Sequence, residues 1–182
     1  MSGFRIVGSE VIARAGFLAI TEERIEGPEP GEFTRVVVRH PGAVVVVPVD
    51  GRHALLVRQF RAAVGGALLE VPAGKRDVDG EPPEATACRE LEEEIGRRPG
   101  RLVKLAEFYN TPGFCDEYTH LFAALDLEDL GSPCGEGPEE RAMTIERVSF
   151  SEVDDLVARG ELRDAKSIIG LLLARRFLDA GA

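Results

Sequence analysis

Arg89-Glu90-Leu91-Glu92-Glu93-Glu94-Ile95-Gly96 is the stretch whose spacing decides the fold. On a helix, each residue turns by about 100° from the one before it. The apolar and acidic positions then separate into an inward face of Ala87, Cys88, Leu91 and Ile95 and an acidic face of Glu90, Glu93 and Glu94. Carboxylates at these spacings repel one another. The pattern therefore indicates either a solvated acidic face or a site for a divalent cation, which prefers hard oxygen ligands.

The residues flanking this stretch predict the extent of the helix. Pro82 and Pro83 are compatible with the first turn of a helix, where the backbone N–H groups have no partner within the helix. Gly96 is typical of a helix end. We therefore expect a helix over 82–95 after a loop at 75–81. Asp50-Gly51 between two β-branched runs predicts a hairpin. Strands are predicted at 33–40, 43–49, 54–60, 67–71, 101–109, 118–125 and 143–150.

Two further helices are predicted near the C-terminus. Ser151 with Asp154 three residues later resembles a capping box that starts a helix reaching Arg159. A last helix is predicted from Asp164 through Phe177, with an apolar stripe that should lie on a sheet. The expected architecture is α+β, with mixed strands and three helices around one core.

Composition restricts the possible function classes. The chain has 182 residues, of which 44% are hydrophobic and 30% charged, as in a globular domain. Its net charge of −10 argues against a nucleic-acid partner, and its apolar runs are too short for a membrane span. Three scattered cysteines do not indicate a disulfide framework, and no secretory signal is evident, so a cytoplasmic location is expected.

The acidic stretch and its surroundings resemble the Nudix box. That family's pattern is Gly, five residues, Glu, seven residues, then Arg-Glu-apolar-any-Glu-Glu-any-Gly-apolar, and here Gly74, Glu81 and Gly96 accompany the 89–94 segment. Six residues rather than five separate Gly74 from Glu81, and Arg97 fills the final apolar position. Every acidic position is filled, so the resemblance favours the metal-site interpretation over a solvated face.

The resemblance implies an α/β/α sandwich with a mixed sheet over 41–182, preceded by an N-terminal β extension over 1–40. It implies Mg²⁺, with Mn²⁺ as an alternative, at two or more ions in each site. The implied metal ligands are Glu90, Glu94, the supporting Glu93 and the Ala73 carbonyl. We expect these carboxylates on the solvent-exposed face of the helix, Arg89 orienting them, and Glu81 locking the loop to the helix.

Other segments resemble those of the ADP-ribose pyrophosphatases within that family. Pro112 lies sixteen residues after Gly96 and opens a Pro-Gly-Phe-Cys-Asp-Glu loop that resembles the group's Pro-Gly-Phe-Ser-Asp-Glu loop, with Cys115 in the place of the Ser. The Arg58-Gln59-Phe60-Arg61 segment resembles that group's phosphate-binding arginines, whose planar forks bind phosphate oxygens in pairs. The implied substrate-binding residues are Arg58, Arg61, Phe33, Gly113, Phe114 and Glu117.

A general base is expected in the flexible acidic loop at 131–141. Counting back from the helix predicted at Ser151 favours Glu139, followed by Glu140, with Glu136 as a further candidate. Glu93 is the next candidate if the loop supplies none. In the resembled group the base is commonly a glutamate on such a loop.

The resemblance also implies a homodimer, formed through the 1–40 extension and holding adenine at its interface. Because the chain contains no Trp, Phe33 or another N-terminal side chain would have to stack on the base.

The implied reaction is hydrolysis of ADP-ribose to AMP and ribose 5-phosphate. The alternatives are a Nudix hydrolase of another substrate, such as a nucleotide sugar, a diadenosine polyphosphate or coenzyme A, and a non-catalytic nucleotide sensor. The sequence has neither a P-loop nor a Gly-x-Gly-x-x-Gly motif.

Overall fold

The chain divides into two units in the computed structural model, which describes residues 3–135 and 137–181. The first unit comprises Met1–Gly42 together with Phe108–Thr119, and the second comprises Ala43–Glu107 together with His120–Ala182. The sequence prediction placed a boundary after residue 40 and assigned 108–119 to the larger domain. In the structure that segment packs with the N-terminal unit instead.

The first unit is built on a three-stranded antiparallel sheet in the order β1-β2-β3. Its strands are β1 (Arg5–Ala15), β2 (Leu18–Glu26) and β3 (Glu32–Arg39). The turn after Pro112 joins β3 through an isolated parallel bridge between Val38 and Cys115. The Val38 N–H donates to the Phe114 carbonyl at 2.7 Å, and the Asp116 N–H donates to the Val38 carbonyl at 3.1 Å. The segment therefore extends the N-terminal unit by pairing with its last strand.

The second unit contains a seven-stranded sheet with four helices in its described part. The sheet order is β10-β5-β4-β9-β8, with β6 beside β5 and β7 beside β4. The strands are β4 (Ala43–Asp50), β5 (His53–Arg61), β6 (Gly66–Glu70), β7 (Ala73–Lys75), β8 (Arg97–Tyr109), β9 (Tyr118–Asp129) and β10 (Thr144–Ser149). The helices are α1 (Pro83–Ile95), α2 (Pro138–Arg141), α3 (Val153–Ala158) and α4 (Ala165–Asp179).

Strand β4 forms the centre of the core because both of its faces are covered. On one face, Val44 and Val46 belong to a buried cluster that includes side chains of α1. The other members of this cluster are Val57, Ala87, Leu91, Ile95, Phe122 and Ala124. On the opposite face, Val47 and Leu121 approach Gly170 of α4. Alternate side chains of a strand point to opposite faces, so a continuous run of valines is what a strand between two helical layers requires. The predicted α+β sandwich with a mixed sheet is confirmed.

Two local predictions were wrong. The capping box lies at Ser149 and Glu152, not Ser151 and Asp154: the Ser149 N–H donates to the Glu152 carboxylate at 3.2 Å, and a 3₁₀ turn precedes α3. The number of helices is four rather than three among the described residues, because α2 forms one turn within the predicted loop, with Pro138 in its first turn. Within the described ranges no helix is long and apolar enough to cross a membrane.

Candidate active site

Helix α1 buries two of its glutamates. Glu90 is 9% exposed and Glu94 is 8% exposed, so the expectation that they lie on the solvent-exposed face was wrong. They form a stripe beside the core-facing residues of α1, and that stripe packs against β7, from which the Ala73 N–H donates to Glu94 Oε2 at 3.2 Å. Helix periodicity predicted that the carboxylates lie together, but the burial comes from a strand contributed by another part of the chain.

Gly74 is the residue that lets Glu90 approach β7 closely. A Cβ built on Gly74 would overlap the carboxyl carbon and both carboxylate oxygens of Glu90. The requirement for glycine here is therefore one of space. At the other end of α1, Gly96 adopts φ 62° and caps the helix, and its N–H donates to the Glu92 carbonyl at 3.2 Å.

Burial changes the acidity of both glutamates. It raises the pKa of Glu94 to about 8, aided by repulsion from Glu90 and opposed by the Ala73 N–H and by Arg61. Burial likewise raises the pKa of Glu90 to about 6, with Arg89 opposing and Glu93 adding to the shift. A cation bound beside two adjacent carboxylates that ionise with difficulty would stabilise their charged forms.

Arg89 contacts three carboxylates of this region. Its Nη1 lies 2.8 Å from Glu90 Oε1 and donates to Glu93 Oε2 at 3.1 Å. Its Nε lies 3.5 Å from Glu81 Oε1, an ion pair without a well-formed hydrogen bond. Glu81 in turn accepts a hydrogen bond at 2.7 Å from Thr86 Oγ1 in α1. This geometry is consistent with the orienting role predicted for Arg89 and with the linking role predicted for Glu81.

The donor chemistry of these carboxylates fits a hard divalent cation. Among residues 3–135 and 137–181, no three acidic, histidine or cysteine side chains already converge into an ion cage. In this structure the positive charge that faces Glu90 and Glu93 comes from the Arg89 guanidinium. The ligands predicted for a cation, which are Glu90, Glu93, Glu94 and the Ala73 carbonyl, nevertheless come from two adjacent elements, α1 and β7.

Both arginines of the Arg58–Arg61 segment are paired with carboxylates. Arg58 forms a two-point pair with Glu146 on β10, including an Nη2–Oε2 hydrogen bond of 3.1 Å. Arg61 forms two hydrogen bonds of 2.8 Å with Glu70 on β6. Sequence reasoning identified the arginines but missed their partners, because the pairing of β5 with β10 and with β6 decides which carboxylate faces which arginine.

Comparison with known proteins identifies the family. The NUDIX domain model matches residues 38–170. The ADP-ribose pyrophosphatase of Mycobacterium tuberculosis (strain ATCC 25618 / H37Rv) is 36% identical over 170 residues, covering 93% of this chain and 82% of the relative. The chain belongs to the NUDIX family.

Other relatives agree over similar lengths. The ADP-ribose pyrophosphatase of Bacillus subtilis (strain 168) is 37% identical over 164 residues, covering 90% of this chain and 88% of the relative. A solved structure described as an ADP compounds hydrolase superposes with a TM-score of 0.87 at 23% identity, covering 99% of this chain and 96% of the other, and supports the fold. NUDIX enzymes generally use divalent metal ions.

In this NUDIX protein the glutamates considered as bases occupy different positions. Glu139 and Glu140 both lie in α2 and are exposed, whereas Glu136 lies outside the described residues. The Glu140 carboxylate accepts the Gly137 N–H at 2.9 Å and is close enough to raise the pKa of Glu94 slightly, after burial and Glu90. The preference for Glu139 as the base stays a prediction. Because Glu140 acts electrostatically on Glu94, Glu139 and Glu140 should be compared directly.

Glu139→Gln is expected to slow the chemical step by about 100-fold or more, because a general base typically contributes 10² to 10⁴ in rate. Metal affinity should be unchanged, since Glu139 is not a predicted ligand. Single-turnover rates and Mg²⁺ titrations of Glu139→Gln, Glu140→Gln and Glu136→Gln test this. If only Glu140→Gln or Glu136→Gln is impaired, the role belongs to that glutamate; if all three variants are silent, Glu93 becomes the candidate.

The remaining predicted substrate-binding residues of this NUDIX protein lie in the first unit. Phe33 on β3 forms an edge-to-face contact with Phe4, with the two ring centres 6.1 Å apart. The Arg35 guanidinium lies over the Phe33 ring, 4.7 Å from the ring centre. Phe114, which follows Gly113, is 57% exposed. The Glu117 Oε1 atom lies 4.0 Å from His40 Nε2. The structure thus leaves the Phe114 ring accessible, whereas the Phe33 ring already has two neighbours.

Sequence reasoning missed an ion-pair network that anchors the loop containing Gly113 and Phe114. Arg39 Nη1 donates to Asp116 at 3.0 Å, and Arg39 Nη2 donates to the buried Glu23 at 2.6 Å. Hydrogen bonds from Thr21 and Arg39 lower the pKa of Glu23 to about 2. Alternation along β2 does not single out Glu23, because both faces of the strand carry apolar residues, Leu18 and Ile20 on one and Ala19 and Ile25 on the other.

Proposed function

We propose that this NUDIX protein hydrolyses ADP-ribose to AMP and ribose 5-phosphate. The observation that carries the proposal is the pair of relatives named ADP-ribose pyrophosphatase, which are 36% and 37% identical over at least nine-tenths of the chain. The buried Glu90–Glu94 pair supports it, because a pure binding module has no need of crowded carboxylates whose ionisation burial opposes.

The proposed reaction requires a deprotonated water, in-line attack and neutralised phosphate oxygens. Mg²⁺ or Mn²⁺, at two or more ions, would supply charge neutralisation and lower the pKa of the attacking water. Glu90, Glu93, Glu94 and the Ala73 carbonyl would hold the ions. The water oxygen would bond to one phosphorus while the bond from that phosphorus to the bridging oxygen breaks. The other phosphate would leave with the bridging oxygen as the second product, and Glu139 would accept the proton of the water.

The chain's own residues would also align the substrate. Arg61 presents a guanidinium that Glu70 holds at two points, so its orientation is set before substrate binds. Arg58 is fixed by Glu146 in the same way. We assign both arginines to the diphosphate, and Phe33, Gly113, Phe114 and Glu117 to the remainder of the nucleotide.

ADP-ribose should have the highest kcat/KM among common nucleotides, because binding contacts at both ends of a diphosphate can be used to align the attacking water. The measurement compares ADP-ribose, ADP-glucose, diadenosine diphosphate, coenzyme A and ATP, with Mg²⁺ and with Mn²⁺. A tenfold preference for ADP-glucose or another sugar nucleotide would replace the substrate assignment and leave the NUDIX hydrolase assignment intact. Absence of cleavage of every compound would favour the nucleotide-sensor alternative.

The first unit is proposed to form a homodimer. Its strands and turns expose several large apolar side chains, each at least 46% accessible: Phe4, Ile6, Val11, Ile12, Phe17 and Val36. Exposed apolar groups at this density are typical of an interface. Sedimentation should show a dimer at micromolar concentration, and Ile12→Glu should shift it toward monomer. A monomeric wild-type protein contradicts the proposal.

We also propose a cytoplasmic location, which rests on cysteine usage. Cys88, Cys115 and Cys134 are all free thiols, and free thiols persist in a reducing compartment. Recovery of the native protein in an oxidising compartment on cell fractionation would contradict this.

A further inference from the structure

Glu70, at the end of β6, is a buried carboxylate that binds two cations. It is 1% exposed, and it accepts hydrogen bonds from Arg61 Nε and Nη2, each at 2.8 Å, and from Lys166 Nζ at 2.6 Å. Burial opposes ionisation of Glu70, but the two cations overcome it and its pKa stays below the ordinary value. Glu70 is therefore a charged link between the Arg61 side chain and α4.

Lys166 is itself held by the first turn of α4. Its Nζ donates to Asp164 Oδ1 at 2.7 Å, while Asp164 Oδ2 accepts the Ser167 N–H at 3.0 Å and so caps the helix. Ser167 Oγ in turn accepts the Val71 N–H at 2.9 Å, next to Glu70 in the chain. Lys166 is thus part of a rigid connection between the end of β6 and the start of α4.

The Arg61 guanidinium can contact an anion while remaining bound to Glu70. The pair with Glu70 uses Nε and Nη2, so the two hydrogens on Nη1 point elsewhere. The Arg61 side chain is 36% exposed, and its charge reaches the nearby Glu94 carboxylate. The arginine therefore has its Nε–Nη2 edge fixed by Glu70 and its Nη1 edge free of that pair, and its charge acts on Glu94, one of the proposed metal ligands.

We propose that Glu70 and Lys166 are positioning residues, which together hold the Arg61 guanidinium so that its free edge binds a phosphate oxygen of the substrate. This inference rests on the proposed function, in which Arg61 binds the diphosphate. Glu70 sets the orientation of the guanidinium through two bonds. Lys166 offsets the negative charge that Glu70 brings, so the positive charge of Arg61 remains available to the substrate.

The charges of the network give the direction of the effect. With Lys166 present, two cations face the two carboxylates Glu70 and Asp164. Without Lys166, Arg61 pairs with Glu70 while Asp164 loses its ion pair and acts on Arg61 only at longer range, and the region becomes more negative by one unit of charge. A diphosphate substrate is then repelled, and Arg61 is drawn more strongly toward the protein. The loss falls on substrate binding, because the proposed metal ligands and base are untouched.

Lys166→Met tests the inference. It is expected to raise KM for ADP-ribose by about tenfold, or about 1.4 kcal/mol, with kcat changed by no more than about threefold. The discriminating measurement is a double-mutant cycle with Arg61→Met. Because Lys166 acts through Arg61, Lys166→Met should raise KM little further in the Arg61→Met background. A merely structural lysine would show the same effect in both backgrounds.

Arg175→Met is the matched control, since it removes another cation from α4 whose partner, Asp154, lies on the surface. It should leave KM unchanged. If Lys166→Met does not yield folded protein, Lys166→Gln, which keeps a hydrogen-bond donor but no charge, replaces it in the same cycle.

The inference is overturned if KM is unchanged in the Lys166 variant, or if the effects of Lys166→Met and Arg61→Met add independently. It is also overturned if Arg61→Met leaves KM unaltered. An unaltered KM in Arg61→Met would also remove the assignment of Arg61 to the diphosphate. None of these results affects the proposed reaction, which the wild-type substrate comparison tests separately. If wild type prefers another nucleoside diphosphate derivative, the cycle is run with that compound and its outcomes keep their meaning.

Discussion

Glu94→Gln is expected to abolish most activity and, at alkaline pH, to stabilise the metal-free protein. We expect kcat to fall by about 100-fold or more, equivalent to about 2.7 kcal/mol of barrier, because the amide cannot supply the negative charge that a divalent ion needs. Glu90→Gln should lower kcat to a similar extent. The two effects separate a metal ligand from a residue that merely supports the fold, since loss of a supporting residue lowers both activity and stability.

The stability effect follows from the direction of the pKa shift. The pKa of Glu94 is raised from an ordinary 4.5 to about 8 by burial. Between these two values the folded protein holds a proton that the unfolded chain has released. The contribution of Glu94 to the free energy of unfolding is therefore fully present at low pH and is lost as pH rises toward 8. Glutamine stays neutral and avoids this loss.

The measurement is the melting temperature in EDTA at about pH 5 and pH 8.5, and again with Mg²⁺. Glu94→Gln should raise the metal-free melting temperature by several degrees at the higher pH only, and should reduce the stabilisation by Mg²⁺. Glu92→Gln is the matched control, because Glu92 lies on the same helix but pairs with Arg98 at 2.7 Å. Near-wild-type turnover in both the Glu90 and Glu94 variants would show that the metal assignment is wrong.

Gly74→Ala is expected to lower kcat/KM by about 100-fold with a single added methyl group. The new Cβ would occupy the space of the Glu90 carboxyl group, so either this carboxylate leaves its position or β7 moves away from α1. Both responses misplace a predicted metal ligand, and small misplacements at a reacting centre can cost about 100-fold in rate. Weaker stabilisation by Mg²⁺ should accompany the lost activity.

Gly66→Ala controls for the general effect of adding a methyl group at a strand glycine. A Cβ at Gly66 meets nothing within 4 Å, so activity and Mg²⁺ response should match those of wild type. Calorimetry with Mg²⁺ and kinetics on ADP-ribose make the comparison. Should Gly74→Ala retain both full activity and full metal affinity, Glu90 does not need its observed position, and its assignment as a ligand fails.

The sequence by itself determined the features that depend on local periodicity and turn chemistry. The spacing of Glu90 and Glu94 on a helix, the end of that helix at Gly96, and the hairpin at Asp50-Gly51 were all predicted correctly, because helix rotation and left-handed glycines act over a few residues. The β-branched run at 43–49 was likewise predicted correctly as a strand, which is β4 in the structure.

Only the tertiary structure decided the environment of those residues. Burial of Glu90 and Glu94 depends on β7. The Arg61 partner Glu70 lies on β6, and Glu70 is itself bound by Lys166 of α4, 96 residues away along the chain. The packing of Phe108–Thr119 with the N-terminal unit depends on pairing with β3. Burial and charge pairing arise between surfaces that folding brings together. The pattern along the chain specifies only which side chains are available for burial and pairing.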